Sequence, residues 1–180
     1  MFDQDRFIAD TEIAARDGGQ HAVRDIVSRA VADPVRLMAS LGEPQRSGIT
    51  LLHASKHVTI INMIWGPHTT MMPHNHHMWA VIGLYSGRED NIFWRILPPD
   101  ARWPIEAAGA ASLMAGDSRD LGVAMIHSVT NPLGRMTGAL HIYGGDYLHE
   151  PREAWDPETL QPGPFNLDVT RRLFADSNRV

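Results

Sequence analysis

Three histidines occupy four consecutive positions near the middle of the chain, and their type and spacing could support metal chemistry. His74, His76 and His77 are followed directly by an apolar run, residues 79–85, which predicts a β-strand. Alternate side chains of a strand share a face, so we expect His74 and His76 to point the same way, about 7 Å apart, and His77 to point oppositely. Two neutral imidazoles on one face of a strand indicate part of a metal site.

A third imidazole is predicted from the second half of the chain. His127 follows the apolar run 123–126, which itself comes after a Gly116–Asp117 turn. The sequence contains no cysteine, so disulfides, thiolate ligands and cysteine nucleophiles are excluded, and a metal must be held by His, Asp or Glu. We therefore expect His74, His76 and His127 to bind one divalent metal ion.

The chemistry of such a site depends on which metal it holds. Three neutral imidazoles on one side of Fe²⁺ leave coordination positions free for a substrate and for dioxygen. The same ligands suit Zn²⁺ carrying an activated water. The residues by themselves leave open an oxygen-dependent enzyme, a hydrolase or lyase, and a non-catalytic metal-binding protein.

Composition narrows the class of protein. The chain has 180 residues, 43% hydrophobic and 21% charged, which suits one globular domain. Its formal net charge of -5 argues against a nucleic-acid partner. The N-terminus lacks the pattern of a targeting peptide, and no segment has the ~20 apolar residues that would cross a membrane. We expect a cytoplasmic protein without a membrane partner.

Helices are predicted at the N-terminus, over residues 1–42. Apolar residues between Val23 and Val31 recur with helical spacing, and a shorter candidate covers about 3–16. Asp33 and Pro34 form an N-cap followed by a proline at the first helical position, and Gly42 ends that piece.

An antiparallel all-β barrel or sandwich is predicted over residues 49–147, because the periodicity changes there to short β-rich runs with no helical crossover. A tail, 148–180, is expected to wrap the barrel and to end in a short helix near 168–175. The expected strands are 49–53, 57–65, 79–85, 91–97, 121–126 and 136–143.

The strand 79–85 is apolar on both alternating faces, so its outer face must be covered. We expect the N-terminal helices to cover it, and the pattern also allows a homodimer.

The region from about 60 to 147 resembles the cupin superfamily. The resemblance rests on the His74/His76 pair, Gly87, the Gly116–Asp117 turn, and His127 with Asn131 after it. It implies a double-stranded β-helix, an antiparallel jelly-roll barrel, with the N-terminal helices packed outside. Cupins often add a glutamate ligand separated from the second histidine by three or four residues, and Ala80 and Val81 stand at those positions instead.

A three-histidine cupin is similar to the thiol dioxygenases, a group that includes cysteine dioxygenase and bacterial 3-mercaptopropionate dioxygenase. The segments 62–66 and 140–143 resemble the same group. The resemblance implies a non-haem Fe²⁺ enzyme that uses O₂ to oxidise a small thiol to its sulfinate. It also implies that His141 and Tyr143 act beside the iron, orienting oxygen and substrate and managing protons.

Two positions depart from that group. The group has a serine two residues before the histidine that corresponds to His141, and Ala139 stands at that position here. The group also has an arginine that binds the substrate carboxylate, and residues 52–55, where it would lie, contain no arginine. Arg95, Arg119 and Arg135 are the other arginines considered for that role, each of them also a candidate surface charge.

Overall fold

The computed structural model describes residues 2–179. Within that range the chain forms three helices, then eleven strands, then a fourth helix. The helices are α1 (Gln4–Asp17), α2 (Gly19–Val31), α3 (Pro34–Leu41) and α4 (Leu167–Asp176). The strands are β1 (Gly48–Ala54), β2 (Thr59–Trp65), β3 (Thr70–Asn75), β4 (Ala80–Ser86), β5 (Arg88–Ile96), β6 (Ile105–Met114), β7 (Ser118–Leu121), β8 (Ile126–Thr130), β9 (Thr137–Tyr143), β10 (Glu153–Trp155) and β11 (Pro162–Pro164).

The strands form two antiparallel sheets that face each other. One sheet has the order β1-β2-β9-β4-β7, and the other has the order β11-β10-β3-β8-β5-β6. Strands β2 to β9 form a jelly roll: β2 pairs with β9 and β4 with β7 in one sheet, whereas β3 pairs with β8 and β5 with β6 in the other. This order is the double-stranded β-helix of the cupin fold, and the predicted fold class is confirmed.

The main core lies between the two sheets, where their inward side chains meet. Strand β2 contributes Ile61, Met63 and Trp65 at alternate positions, as period-2 patterning requires, and the other sheet contributes Met71 and Val129. The same layer contains the histidines described below, so the candidate site lies inside the barrel.

The N-terminal helices cover the outer face of the first sheet. Val27 and Val31 of α2 pack against β4 at Gly83, where an added Cβ would come within 2.4 Å of a Val27 methyl. Val81 and Tyr85 of the same strand belong to this second apolar cluster. Helix cover of β4 is confirmed, and the homodimer stays a prediction.

The helix ends follow their capping residues. The Asp33 carboxylate accepts a hydrogen bond from the backbone N–H of Arg36 at 3.0 Å, Pro34 opens α3, and Gly42 with φ 88° ends it. Asp3 caps α1 in the same way. The predicted helix starts and stops are confirmed here because they depend on local chemistry.

Some strand predictions were wrong. The run 121–126 is split by a turn, with β7 ending at Leu121 and β8 beginning at Ile126. Strand β6 was not predicted, because it is rich in alanine and contains Gly109, residues of low strand propensity. It forms a strand because it pairs with β5 along its length. The tail expected to be a loop contributes β10 and β11 to the second sheet.

Among residues 2–179, no helix has both the length and the apolar character needed to cross a membrane.

Candidate metal centre

The three predicted histidines converge inside the barrel. His74, near the end of β3, pairs in register with His127 on β8, and His76 follows directly after β3 ends. The Nε2 atom of His76 lies 3.3 Å from Nε2 of His74 and 3.2 Å from Nε2 of His127. The prediction that His74 and His76 sit on one strand was wrong, because β3 stops at Asn75; the turn after it still directs His76 inward.

The spacing fits three ligands of one metal ion. Imidazole nitrogens bound to a common ion at about 2.1 Å, with angles between octahedral and tetrahedral values, lie roughly 3.0–3.4 Å apart. The observed separations of 3.2 and 3.3 Å fall in that range. These three side chains form the group within residues 2–179 that could hold a metal, and each is buried.

His74 and His127 each make a hydrogen bond through Nδ1, which leaves the lone pair on Nε2 available for a shared metal ion. Nδ1–H of His74 donates to the carbonyl of Met72 at 3.0 Å, and Nδ1–H of His127 donates to Oδ1 of Asn91 at 2.7 Å. With hydrogen on Nδ1, each Nε2 is free to bind a metal. Nδ1 of His76 is buried and has no hydrogen-bond partner among the described residues.

Burial keeps these imidazoles neutral. Burial lowers the pKa of His74 to about 4, and the nearby Arg152 acts in the same direction. Burial, with the neighbouring histidines, also holds the pKa of His76 and of His127 well below 6.5. Neutral imidazole is the form that binds metals, so the three ligands are ready at neutral pH.

His77 points away from this group. Its backbone has φ 55°, and its Nδ1–H donates to the carbonyl of Pro151 at 2.9 Å. The opposite direction predicted for His77 is observed, although a turn and not strand alternation produces it.

His141 and Tyr143 stand beside the three histidines. Both lie on β9 and point into the barrel, and the Tyr143 hydroxyl is 3.3 Å from Nδ1 of His141. The Tyr143 ring centroid is 5.1 Å from that of His76, and it stacks at 3.7 Å on Tyr147. Burial, with Tyr147 close by, raises the pKa of Tyr143 well above 10, so its hydroxyl keeps its proton. The catalytic roles of this pair stay predictions.

An acidic residue near the site was missed by the sequence reasoning. Glu89 on β5 is 0% exposed, and its carboxylate lies 3.3 Å from Nε2 of His141. It also accepts a hydrogen bond from the Asn91 side chain, which in turn contacts His127. The run Arg88 to Asp90 looks like an exposed charged turn in the sequence, and only the β5 register buries its middle residue.

A buried arginine was missed as well. Arg152 is 7% exposed, and its guanidinium lies over the rings of Tyr147 and Phe165 at 3.8 and 4.3 Å. Its Nη1 donates to the carbonyls of Tyr147 and Glu150, whereas Nε and Nη2 have no hydrogen-bond partner among the described residues. The Phe165 ring in turn lies 5.7 Å from the His74 ring, so one aromatic side chain separates Arg152 from the metal centre.

Two of the arginines considered from the sequence, Arg95 and Arg135, are exposed, and Arg95 pairs with Glu106. The third, Arg119 on β7, packs over Phe93, and its buried Nε has no hydrogen-bond partner among the described residues. A single arginine in a proline-rich tail gives no signal in the sequence, because its burial depends on how the tail crosses the barrel.

Two cavities adjoin the centre. A small one of about 10 Å³ lies among His74, His127, His141 and Tyr143, and has room for one water molecule. A larger one of about 380 Å³ lies beneath α4, and Met63, Met71 and Tyr147 line both. A substrate larger than water must displace side chains to reach the metal centre.

Comparisons with known proteins give structural neighbours at low sequence identity. No family model matches it, and no curated protein does. A cupin family protein with a double-stranded β-helix fold from Methanocaldococcus jannaschii aligns with a TM-score of 0.47 and 9% identity, over 59% of this chain and 86% of that one. A cupin superfamily protein from Desulfitobacterium hafniense gives 0.46 and 15%, over 61% and 88%.

A variant of oxalate decarboxylase from Bacillus subtilis gives a TM-score of 0.44 and 14% identity, over 57% of this chain and 26% of that one. The strand order of this chain defines a double-stranded β-helix, and the three histidines that converge inside it form a group suited to a divalent metal.

Proposed function

We propose that this protein is a non-haem Fe²⁺ dioxygenase that oxidises a small thiol to its sulfinate. The observation that carries the proposal is the all-histidine centre, with no carboxylate ligand, next to the buried Tyr143–His141 pair. A neutral ligand set favours an anionic substrate ligand such as a thiolate, which restores the charge that a carboxylate would have supplied. The resemblance of these segments to thiol dioxygenases supports the same reading.

The metal supplies the redox chemistry and the open coordination positions that a thiolate and O₂ need. The reaction is balanced as RS⁻ + O₂ → RSO₂⁻, so two S–O bonds form, the O–O bond breaks, and no further reductant is required. Sulfur is oxidised and both oxygen atoms are reduced.

Arg152 gives the proposal a substrate class. A buried guanidinium without a carboxylate partner is costly, because the charge is removed from water and two donors stay unpaired. A substrate carboxylate would accept from Nε and Nη2 together, which is the bidentate geometry that arginine favours. We therefore expect a thiol acid such as 3-mercaptopropionate or cysteine, in preference to cysteamine, which has no carboxylate.

Tyr143 is assigned to orienting the reacting groups. Its hydroxyl is protonated, buried and adjacent to His76, so it can donate a hydrogen bond into the small cavity or to His141. The apolar residues Met63, Met71 and Val129 line the same cavity and exclude water from the reaction.

The direct test is oxygen consumption by the Fe²⁺-loaded protein with 3-mercaptopropionate, cysteine and cysteamine, with the sulfinate identified by mass. We expect coupled O₂ uptake and sulfinate formation with at least one thiol acid. His127→Ala should lose iron and activity together, whereas Tyr143→Phe should slow turnover and keep its iron. Absence of thiol-dependent O₂ uptake by the iron-loaded protein would refute the proposal.

The alternative is a three-histidine cupin acting on a non-thiol substrate, with Zn²⁺ or Fe²⁺ as a hydrolase, lyase or dioxygenase. The observation that favours this alternative is the cavity of about 10 Å³ beside the histidines, which would hold one metal-activated water. Turnover of an ester or diketone by the loaded protein, without thiol oxidation, would support this alternative. Metal binding without turnover of any of these compounds would support a non-catalytic role.

A further inference from the structure

Glu89 is a buried carboxylate beside the His141–Tyr143 pair, and the proposed reaction gives it no role. It lies on β5 at a position that points into the barrel, as does Asn91 two residues later. Oε1 of Glu89 accepts from Nδ2 of Asn91 at 3.0 Å, and Oε2 lies 3.3 Å from Nε2 of His141. A fully buried carboxylate is expensive unless its oxygens are paired, and here both oxygens have partners.

The carboxylate sets the direction of the hydrogen bonds on both of its sides, because its oxygens accept from Asn91 and His141. On one side, Asn91 must turn its amide N–H₂ to Glu89, so its Oδ1 accepts from Nδ1–H of His127. His127 is thereby fixed in the tautomer whose Nε2 is free for a metal.

On the other side, His141 must place a hydrogen on Nε2 to donate to Glu89. In the neutral ring, Nδ1 of His141 then carries a lone pair and accepts from the Tyr143 hydroxyl at 3.3 Å. Glu89 therefore orients the metal ligand His127 through Asn91, and it orients Tyr143 through His141.

We propose that Glu89 is the positioning residue that fixes the tautomers of both His127 and His141. The proposal deepens the proposed function and rests on it for the role of His141 and Tyr143. The effect of Glu89 on His127 depends only on metal binding by His127. Ala139 has no hydroxyl to offer His141 from its own strand, and Glu89 supplies the partner from the facing sheet. It also gives the surroundings of the site a carboxylate, which the three histidine ligands do not provide.

The variant that tests this is Glu89→Gln, which keeps the size of the side chain. A glutamine amide has one accepting oxygen and one donating nitrogen, so it cannot accept from both Asn91 and His141. If its nitrogen faces Asn91, the Asn91 amide must turn over and His127 loses its acceptor. If its nitrogen faces His141, that ring must change tautomer and Tyr143 loses its acceptor.

Two measurements separate these outcomes. Zn²⁺ affinity, measured by competition with a chromophoric chelator, should fall about 10- to 100-fold if the His127 side is disturbed. Nitrogen-15 NMR of the imidazoles should show His141 moving from the Nε2–H to the Nδ1–H tautomer if the other side is disturbed. Either change supports the proposal; a variant with the native Zn²⁺ affinity and native His141 tautomer overturns it.

Asp90→Asn is the matched control, because it also converts a carboxylate to an amide on β5. Asp90 pairs with Arg88 at 2.7 Å outside the site, so its variant should keep both Zn²⁺ affinity and the imidazole spectra.

The unsubstituted protein provides a test even if Glu89→Gln does not fold. Its His141 should be protonated at Nε2 and unprotonated at Nδ1, and finding hydrogen on Nδ1 overturns the proposal. Failure of thiol oxidation, with these NMR and Zn²⁺ results as expected, would refute the proposed reaction and leave Glu89 as the positioning residue of the metal centre.

Discussion

At the scale of single residues, the site combines neutral ligands with one unsatisfied cation. Burial lowers the pKa of each of the three histidines, so the ligands are neutral, whereas Arg152 carries the permanent charge of a guanidinium. Both conditions favour an anionic ligand.

Arg152→Gln should raise KM for a thiol acid about 10- to 100-fold, since hydrogen bonds to charged groups contribute about 1.5–3 kcal/mol. KM for cysteamine should change little, because that thiol has no carboxylate to bind. Steady-state oxygen consumption with both thiols measures the difference. Arg95→Gln, at an exposed arginine, is the control, and an equal loss for both thiols would contradict the assigned role.

The metal-free protein should become less stable as pH falls from about 6.5 toward 4. His74 has a folded-state pKa of about 4, below its ordinary value of 6.5, so in this window the unfolded chain binds a proton that the folded chain does not. The loss for His74 is on the order of 3 kcal/mol across the window. Urea unfolding at several pH values in the presence of a chelator measures it.

His74→Gln should reduce that pH dependence and not remove it, because His76 and His127, whose pKa values are also lowered, contribute in the same direction. His149→Gln, at an exposed histidine, should leave it unchanged. Equal slopes in His74→Gln and the unsubstituted protein would show that His74 is not the group responsible.

At the scale of elements, the contact between α2 and β4 holds the helical layer on the barrel. Gly83 allows it, because its missing side chain leaves room for Val27 and Val31. Gly83→Ala should lower the free energy of unfolding by about 1–3 kcal/mol through overpacking. Denaturant unfolding of the variant tests this.

Gly122→Ala is the control for Gly83→Ala, since no atom lies within 4 Å of the added Cβ there. Combining Gly83→Ala with Val27→Ala should recover part of the loss, because it removes the methyl groups in the way. A Gly83→Ala variant as stable as the unsubstituted protein would show that the helix shifts without cost.

At the scale of the whole molecule, metal binding should stabilise the fold. The ligands come from β3, the turn after it and β8, so they are brought together only in the folded barrel. Zn²⁺ at about a thousand times its dissociation constant should add about 4 kcal/mol, or a rise in Tm of about 10 °C. Thermal unfolding monitored by circular dichroism, with and without Zn²⁺, measures it.

His127→Ala should abolish most of this Zn²⁺-dependent rise in Tm. His68→Ala provides the comparison, since His68 is exposed and lies outside the three-histidine group. A rise of the same size in His127→Ala and in the unsubstituted protein would place the Zn²⁺ site elsewhere.

The sequence by itself determined the features that depend on local chemistry. Capping at Asp33 and Gly42 set the bounds of α3, and strand alternation placed His141 and Tyr143 on one face of β9. The three histidines could be selected because few residue types bind a metal when cysteine is absent.

Only the tertiary structure decided the features that depend on pairing between distant segments. Strand β6 forms because β5 pairs with it, and Glu89 is buried because the same pairing fixes its register. Arg152 lies near the metal centre because the tail crosses the barrel and Ala154 pairs with His74. These contacts are set by burial over the whole chain, and no short stretch of sequence carries that information.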